Sequence, residues 1–466
     1  MDRETFRRYG HEFVDWIADY FDQVEDYPVR SRVKPGEIMD CLPETPPAGG
    51  EPMDRIFSDF ESIIMPGITH WQHPGWFAYF PANNSPASIL AELLTAGLGA
   101  QCMIWQTSPA ATELEEVVME WLRQMTGLPA GMKGVIQDTA STATLCALLT
   151  AREKATGFES NRSGMSGRLV VYASEEAHSS IDKAVKIAGY GINNLRKVPA
   201  DRDFALVPEA LEKSLQEDLD AGLKPACVVA TLGTTSSAAN DPLDQIGPIC
   251  KRFNAWLHVD AAYGGTAALL EEKRAMLKGA EEIDSYVFNP HKWMLTNFDC
   301  SAYYVRDENL LKRTFEIHPE YLKTGQDAVV KNYRDWGIQL GRRFRALKLW
   351  FVIRSYGFEG LQAMVREHLR LAALFKNWVE EDSRFELMAP VHYSLVCFRY
   401  KKAGLPEEEL DLLNAALLEK VNESGKVFLT HTSLKGKYAI RMAIGQRTTT
   451  EKHIREAWEI IREHSA

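Results

Sequence analysis

In this chain of 466 residues no stretch of about 18 consecutive apolar residues occurs, so no segment reads as a membrane-crossing helix. Its first residues, MDRETFRRYGHEF, carry charges of both signs where a secretory leader would carry an apolar core. Basic charge is in deficit: 53 Lys and Arg against 64 Asp and Glu leave a net charge of −11. That balance argues against nucleic acid as a partner, because non-specific binding to it needs a basic face. Cysteine is limited to seven scattered residues, Cys41, Cys102, Cys146, Cys227, Cys250, Cys300 and Cys397, an odd number with no CxxC spacing. Neither a disulfide framework nor a metal site is expected from that pattern, which suits a reducing compartment. The expectation is a cytoplasmic protein without metal, membrane or nucleic-acid partner. No internal repeat is evident, and 45% hydrophobic with 25% charged residues is ordinary for a globular chain long enough for two or three structural units.

What the chain does carry is an apolar segment built around a lysine. In SYVFNPHKWMLTNF, residues 285 to 298, the run Tyr286-Val287-Phe288 reads as a short buried strand that breaks at Asn289-Pro290 and delivers His291, Lys292 and Trp293 beyond its end. An ammonium among Trp, Met, Leu and Phe is costly unless paired or neutralised, so Lys292 either snorkels to water or has a chemical task. Upstream, AWLHVD ends a strand pattern on Asp260 and meets the small residues AAYGG, which would let a ligand approach the backbone. Leu169-Val170-Val171-Tyr172 hands over to Ala177-His178-Ser179-Ser180, and Val135-Ile136-Gln137 opens through Asp138 into Thr139-Ala140-Ser141 ahead of a helical stretch. Hydroxyls and free N–H groups at a helix start make an anion site. An anion site, aromatic surroundings, a carboxylate and an amine together describe a site for pyridoxal phosphate.

These segments resemble the group II pyridoxal phosphate-dependent decarboxylases, and among them the aromatic-L-amino-acid (DOPA) decarboxylase branch. The resemblance rests on THWQHP with FAYFP (69 to 81), SPAATELE (108 to 115), GVIQDTAS (134 to 141), EAHSS (176 to 180), ATLGTT (230 to 235), LHVDAAYGG (257 to 265), NPHKW (289 to 293), NFDCSA (297 to 302) and LGRRFRALKLWF (340 to 351), in family order over nearly the whole chain. It implies the type I, aspartate-aminotransferase-like α/β fold with a mostly parallel sheet and flanking helices. It also implies an obligate homodimer with the active site at the interface, and decarboxylation of aromatic L-amino acids to amines.

Residue by residue, the resemblance makes Lys292 the Schiff-base lysine, Asp260 the partner of the pyridinium nitrogen and His178 the residue stacked on the ring. Thr139, Ala140, Ser141, Asn289 and His291 become phosphate ligands, with Thr235 and Ala262 against the ring. Trp71, Tyr79, Phe80, Pro81 and Ala82 line the substrate ring, with Gln101, Met103 and Gly341 approaching from the partner subunit. Tyr321 is the proton donor on a closing loop. The chain departs from the family at Ala82, often Thr, at Met103, often Phe, and at Asp138-Thr139, commonly Gly-Ser. The last change keeps a hydroxyl but adds a carboxylate near a phosphate.

Along the chain, Phe6, Tyr9, Phe13, Ile17, Tyr20, Phe21 and Val24 recur at helical spacing and form an apolar face that must be buried. The proline-rich CLPETPPAGGEP then reads as an extended connector. From residue 108 to 310 short strand-like runs (169 to 172, 226 to 231, 256 to 260, 285 to 288, 302 to 305) alternate with helical stretches, the pattern of a largely parallel sheet. The expected organisation is an N-terminal dimerisation arm over 1–82, a large cofactor domain over 83–359 and a small α+β domain over 360–466. Two other outcomes stay open: conversion to an aldehyde or action on histidine or glutamate, and a cofactor-free binding protein. Related aldehyde-forming enzymes carry Phe at the loop position of Tyr321 or Asn in place of His178, so the residues present favour the amine.

Overall fold

A computed structural model of the chain describes residues 1–165, 167–317 and 329–465. Two compact units are formed, one from Met1–Pro81, Asn377–Glu386 and Phe398–Ala466, the other from Ala82–Lys376 and Leu387–Cys397.

The larger unit is built on a seven-stranded sheet of β1 (Lys133–Gln137), β2 (Leu169–Ser174), β3 (Leu195–Val198), β4 (Lys224–Thr231), β5 (Trp256–Asp260), β6 (Ser285–Phe288) and β7 (Ser301–Val305), in the order β1-β7-β6-β5-β4-β2-β3. β7 pairs antiparallel with both of its neighbours, and the pairs from β6 through β5, β4 and β2 to β3 are parallel. β1 therefore runs with the majority. Central strands are mainly apolar and buried along their whole length, as in LVVYAS and SYVF, because helices cover both sides of such a sheet. Val171, Ala173 and Val229 pack with Ile181, Val185 and Trp256 in one core cluster, and Val135, Val287 and Tyr303 pack with Ala143 and Ala147 in another.

The expected strands fall where the apolar runs placed them, with edges shifted by a residue or two. Two strands escaped that reading. LRKV of β3 sits at the sheet edge with mostly half-exposed positions, and THTSL of β10 (Thr430–Leu434) alternates around polar residues, so neither shows an apolar run.

The expected helix after β1 is Ala140–Thr156. Thr139 caps it by accepting the Thr142 N–H, and Gly157 ends it in the left-handed region at φ 62, where a Cβ would be penalised. The glycines of AAYGG serve a different purpose from the one their size suggested. A Cβ on Gly264 would lie 2.5 Å from the Leu232 carbonyl oxygen, and one on Gly265 would lie 2.4 Å from Phe288 Cβ. These glycines let the exits of β4, β5 and β6 pack against one another, so backbone and side chains of the protein itself occupy the space.

A second, four-stranded sheet of order β10-β11-β9-β8 includes β8 (Phe385–Leu387), β9 (Leu395–Tyr400) and β11 (Lys437–Ala443). The N-terminal helix of the smaller unit spans Arg3–Gln23, capped by the Asp2 carboxylate on the Thr5 N–H. The apolar face expected to be buried is covered in part within the chain: Tyr9 and Val24 are buried, Phe13, Ile17, Tyr20 and Phe21 are half-buried with Phe13 4.8 Å from Phe57, and Phe6 is 67% exposed.

Gly265→Ala is expected to lower stability by about 1–3 kcal/mol or more, because neither Phe288 nor the backbone beneath it can retreat. A urea midpoint equal to that of the unmodified protein would contradict the packing role.

Candidate active site

Because β7 alone opposes the other strands, the C-terminal ends of β1, β2, β4, β5 and β6 open on one edge of the sheet. That edge receives Thr139, Ala140 and Ser141 after β1, His178 after β2, Thr235 after β4, Asp260 and Ala262 at the end of β5, and Asn289, His291 and Lys292 after β6. Open α/β sheets bind their ligands at this edge.

Asp260 is buried, and its Oδ1 accepts the Ala262 N–H at 3.0 Å. His178 stands on the loop beyond β2, where its Nδ1 accepts the Ser180 N–H at 3.1 Å and lies 2.8 Å from Ser180 Oγ. A ring nitrogen that accepts a backbone N–H carries no proton, so the proton of the neutral imidazole is on Nε2. Desolvation foremost, then the Lys292 cation, holds the His178 pKa below its ordinary value, while the Asp260 carboxylate pulls the other way. His178 therefore lies within the field of both Asp260 and Lys292.

Lys292 sits in the single helical turn Pro290–Trp293, half-buried, and its carbonyl oxygen accepts the Asn83 Nδ2–H at 3.0 Å. The next residue fixes that turn from the other side. Trp293 donates its indole N–H to His368 Nδ1 at 2.8 Å and stacks on Tyr263 with ring centroids 4.8 Å apart. Tyr263 is tied in turn through its hydroxyl to Ser394 Oγ at 2.5 Å.

Among the expected phosphate ligands, Thr139 and Ala140 are half-exposed and Ser141 is exposed at the open start of the helix Ala140–Thr156. Asn289 is buried, with Oδ1 accepting Ser301 Oγ–H at 2.7 Å. His291 is buried too; its Nδ1 accepts the Cys300 N–H at 2.9 Å, and desolvation with the neighbouring Lys292 charge lowers its pKa to about 3. Its Nε2 is left as a neutral donor. Thr235 is exposed and Ala262 half-buried.

A second group of residues assembles around Gly341. The Arg342 N–H donates to Gln101 Oε1 at 2.7 Å, the Cys102 N–H to the Arg342 carbonyl at 3.0 Å, and the Arg334 N–H to the Met103 carbonyl at 2.9 Å. Gln101 and Gly341 are exposed, and a Cβ on Gly341 would come within 3.2 Å of Gln101 Nε2. Ala82 is half-buried in the same unit. Trp71, Tyr79, Phe80 and Pro81 belong to the smaller unit. There Trp71 stacks on the buried Trp76 at 4.1 Å and lies 5.9 Å from Tyr79, whose backbone is left-handed at φ 52. Phe80 is buried under the Arg441 guanidinium at 5.3 Å. Tyr321 lies outside the described residues.

The pyridoxal-dependent decarboxylase conserved domain matches residues 35–401. The chain belongs to the pyridoxal-dependent decarboxylases. It is 46% identical to tyrosine decarboxylase 2 of Narcissus pseudonarcissus, over 100% of this chain and 95% of that protein. It is 45% identical to a phenylacetaldehyde synthase of Arabidopsis thaliana, over 100% of this chain and 97% of that one. The crystal structure of Oryza sativa TDC with PLP and tryptamine superposes with a TM-score of 0.97 at 40% identity, covering 100% of this chain and 98% of that chain. The decarboxylase accordingly has the type I fold of this family and is a carboxy-lyase that works with pyridoxal phosphate.

The residues of the decarboxylase fit that cofactor. Asp260 is 5% exposed and forms no ion pair among the described residues, which leaves Oδ2 for a protonated ring nitrogen. The helix start offers unpaired N–H groups and a serine hydroxyl to a phosphate. Lys292 is the amine on the same edge. Sequence reasoning missed the residues that hold these in place: His258, Asn83, His368 and Gln339. His258 alone stood in a quoted motif, and its signal was a polar residue alternating with Asp260 in an otherwise apolar strand. It is buried between Thr144 Oγ1 at 3.2 Å from Nε2 and Ser285 Oγ at 2.9 Å from Nδ1, and burial lowers its pKa to about 4.

His258, His291 and the buried His73, which burial also lowers to about 4, have folded pKa values below the roughly 6.5 of an unfolded histidine. The unfolded chain then binds more protons, so their stabilisation is full above about pH 6.5 and is lost as pH falls towards 4. Urea midpoints measured from pH 7.5 to 4.5 are expected to fall along this window. His258→Gln should be less stable at pH 7.5 but flatter across it; parallel curves would remove His258 from this role.

Proposed function

We propose that this decarboxylase converts aromatic L-amino acids to the corresponding amines and CO2, acting as a homodimer. The observation that carries the reading is the chain-long likeness to a tyrosine decarboxylase and to the TDC structure holding tryptamine, joined to a sheet edge that carries Lys292, Asp260 and His178, with His178 in the field of the other two. Pyridoxal phosphate, when bound, supplies an aldehyde for the substrate amine and a ring that accepts the electron pair released as CO2 leaves.

Lys292 would hold the aldehyde carbon and yield it to the substrate amine, with Asn83 and Trp293 fixing the turn from which it reaches. Asp260 would keep a proton on the ring nitrogen, the charge that makes the ring an electron acceptor. Neutral His178 offers a flat uncharged face, so it adds no competing positive charge. Thr139, Ala140, Ser141, Asn289 and His291 would hold the phosphate, and Thr235 and Ala262 would border the ring. Trp71, Tyr79, Phe80, Pro81 and Ala82 are assigned to the substrate's aromatic ring, with Gln101, Met103 and Gly341 supplied by the second subunit. Tyr321 would return a proton to the substrate Cα, a task suited to a phenol brought in as water is excluded.

The second subunit is supported by apolar surface that the single chain leaves open. On the helix Pro86–Leu98, Leu90, Leu93, Leu94 and Leu98 are 48%, 55%, 50% and 66% exposed, a stripe that a soluble monomer seldom presents. The exposed Phe6 of the N-terminal helix adds to it. Aldehyde formation is the second reading, favoured by the 45% identity to a phenylacetaldehyde synthase. His178 and Tyr321 favour the amine.

The purified enzyme incubated with phenylalanine, tyrosine, DOPA, tryptophan and histidine should release amine from the aromatic substrates and little from histidine; a kcat/KM highest for histidine would overturn the assignment. Gly341→Ser should selectively lower kcat/KM for tryptophan, roughly 10- to 100-fold, or about 1–3 kcal/mol. Its Cβ would press on Gln101 Nε2 and narrow the space for a bicyclic ring. Tyr321→Phe should divert product from amine to aldehyde, ammonia and peroxide when these are quantified after oxygenated turnover. An unchanged amine yield would exclude Tyr321 as the proton donor.

A further inference from the structure

The helix start assigned to the phosphate already holds a negative charge. Asp138 leaves β1 one residue before the cap Thr139, and its Oδ1 accepts the Thr139 N–H at 2.6 Å, with Thr139 Oγ1 3.3 Å away. Its Oδ2 accepts the Gln339 Nε2–H at 3.3 Å, and its backbone carbonyl lies 3.3 Å from Ser301 Oγ. The carboxylate is thus held by both oxygens at the mouth of the helix. Arg345 feels its charge but is bonded to Asp299 at 2.8 Å, and among the described residues no ion pair joins Asp138 to a cation.

The arrangement changes what the helix can offer. At any helix start the first N–H groups lack intrahelical acceptors. Here the Thr142 N–H is taken by Thr139 Oγ1 at 3.3 Å and the Thr139 N–H by Asp138, so Ala140 and Ser141 keep the donors for an incoming anion. The positive end of the helix attracts any anion, and the carboxylate is already there. A phosphate dianion at Ala140 and Ser141 meets fewer donors and a fixed like charge at the same helix start, and like charges repel even in a partly hydrated site.

We propose that Asp138 opposes the cofactor phosphate, weakening cofactor retention about tenfold relative to the same chain without the charge, so that this enzyme exchanges its cofactor instead of keeping it permanently. Gln339 and the Thr139 N–H hold the carboxylate in place. Gln339 stands two residues before Gly341, so the same contact links the phosphate cradle to the segment that carries Gly341 beside Gln101. The proposal rests on the assignment of the phosphate to Thr139, Ala140 and Ser141.

The full-length enzyme, stripped of cofactor, is titrated with pyridoxal phosphate and separately with pyridoxal, following the visible absorbance band and intrinsic fluorescence. Release is timed from the loaded enzyme in the presence of an aldehyde scavenger. Asp138→Asn and Asp138→Ser are each expected to tighten pyridoxal phosphate about tenfold, slow its release, and leave pyridoxal within about twofold. The gain should shrink between about 0.05 and about 0.5 M salt, because screening weakens the repulsion being removed. Unchanged or weaker pyridoxal phosphate binding in the variants that fold, or equal tightening of pyridoxal, would overturn the proposal. Ser141→Ala separates this from the assignment beneath it. That change should weaken pyridoxal phosphate and spare pyridoxal; if it alters neither, the phosphate does not sit at this helix start, whatever the Asp138 variants do.

Discussion

The site depends on one buried carboxylate. The backbone of Asp260 is clamped in register between β4 and β6: its carbonyl accepts the Leu232 N–H at 2.9 Å, and the following Ala261 N–H reaches the Val287 carbonyl at 2.8 Å. Held from both sides, the side chain has nowhere to withdraw, and a carboxylate kept out of water stays charged only with compensation. Ala262 supplies one N–H. His258, two residues earlier, supplies no charge, because burial keeps it neutral. Among the described residues Asp260 forms no ion pair, and the proposed protonated ring nitrogen would supply the charge that compensates it.

Much of this was legible in the sequence because most strands that end at the candidate site carry apolar runs that give way to polar residues. A buried parallel strand is largely apolar on both faces, so the change at Asp260 and Asn289 marks the strand end. The supporting contacts were not legible for the opposite reason. Trp293 and His368 are 75 residues apart, and Asn83 and Lys292 are 209 apart; nothing local in either partner announces the pairing. His258 was hidden differently: a histidine inside a strand reads as polar, yet two hydroxyls and full burial make it a core residue. Asp138 was visible as a departure from the family, and its cause became visible only when the Thr139 N–H and Gln339 were seen to hold it.

The uncovered apolar surfaces complete the account of what a single chain can and cannot satisfy. Ser85 and Ser88 form a capping box at the start of the helix Pro86–Leu98, and Gly99 ends it in the left-handed region at φ 59. Both ends of that helix are therefore satisfied locally. Its leucine stripe is not. A helix complete in its hydrogen bonds and incomplete in its burial leaves only its apolar face to be satisfied, which is a demand on surface and not on fold.

The close packing of Gly264 on the Leu232 carbonyl and of Gly265 on Phe288 bears on how such an enzyme can change. Because these contacts are backbone-limited, the strand exits around Asp260 tolerate no added methyl group, and the geometry of the reacting edge is closed to gradual variation. Gln101 and Gly341 lie on exposed segments whose neighbours are flexible side chains. Variation would accumulate there, one side chain at a time, while the closely packed edge around Asp260 stays as it is.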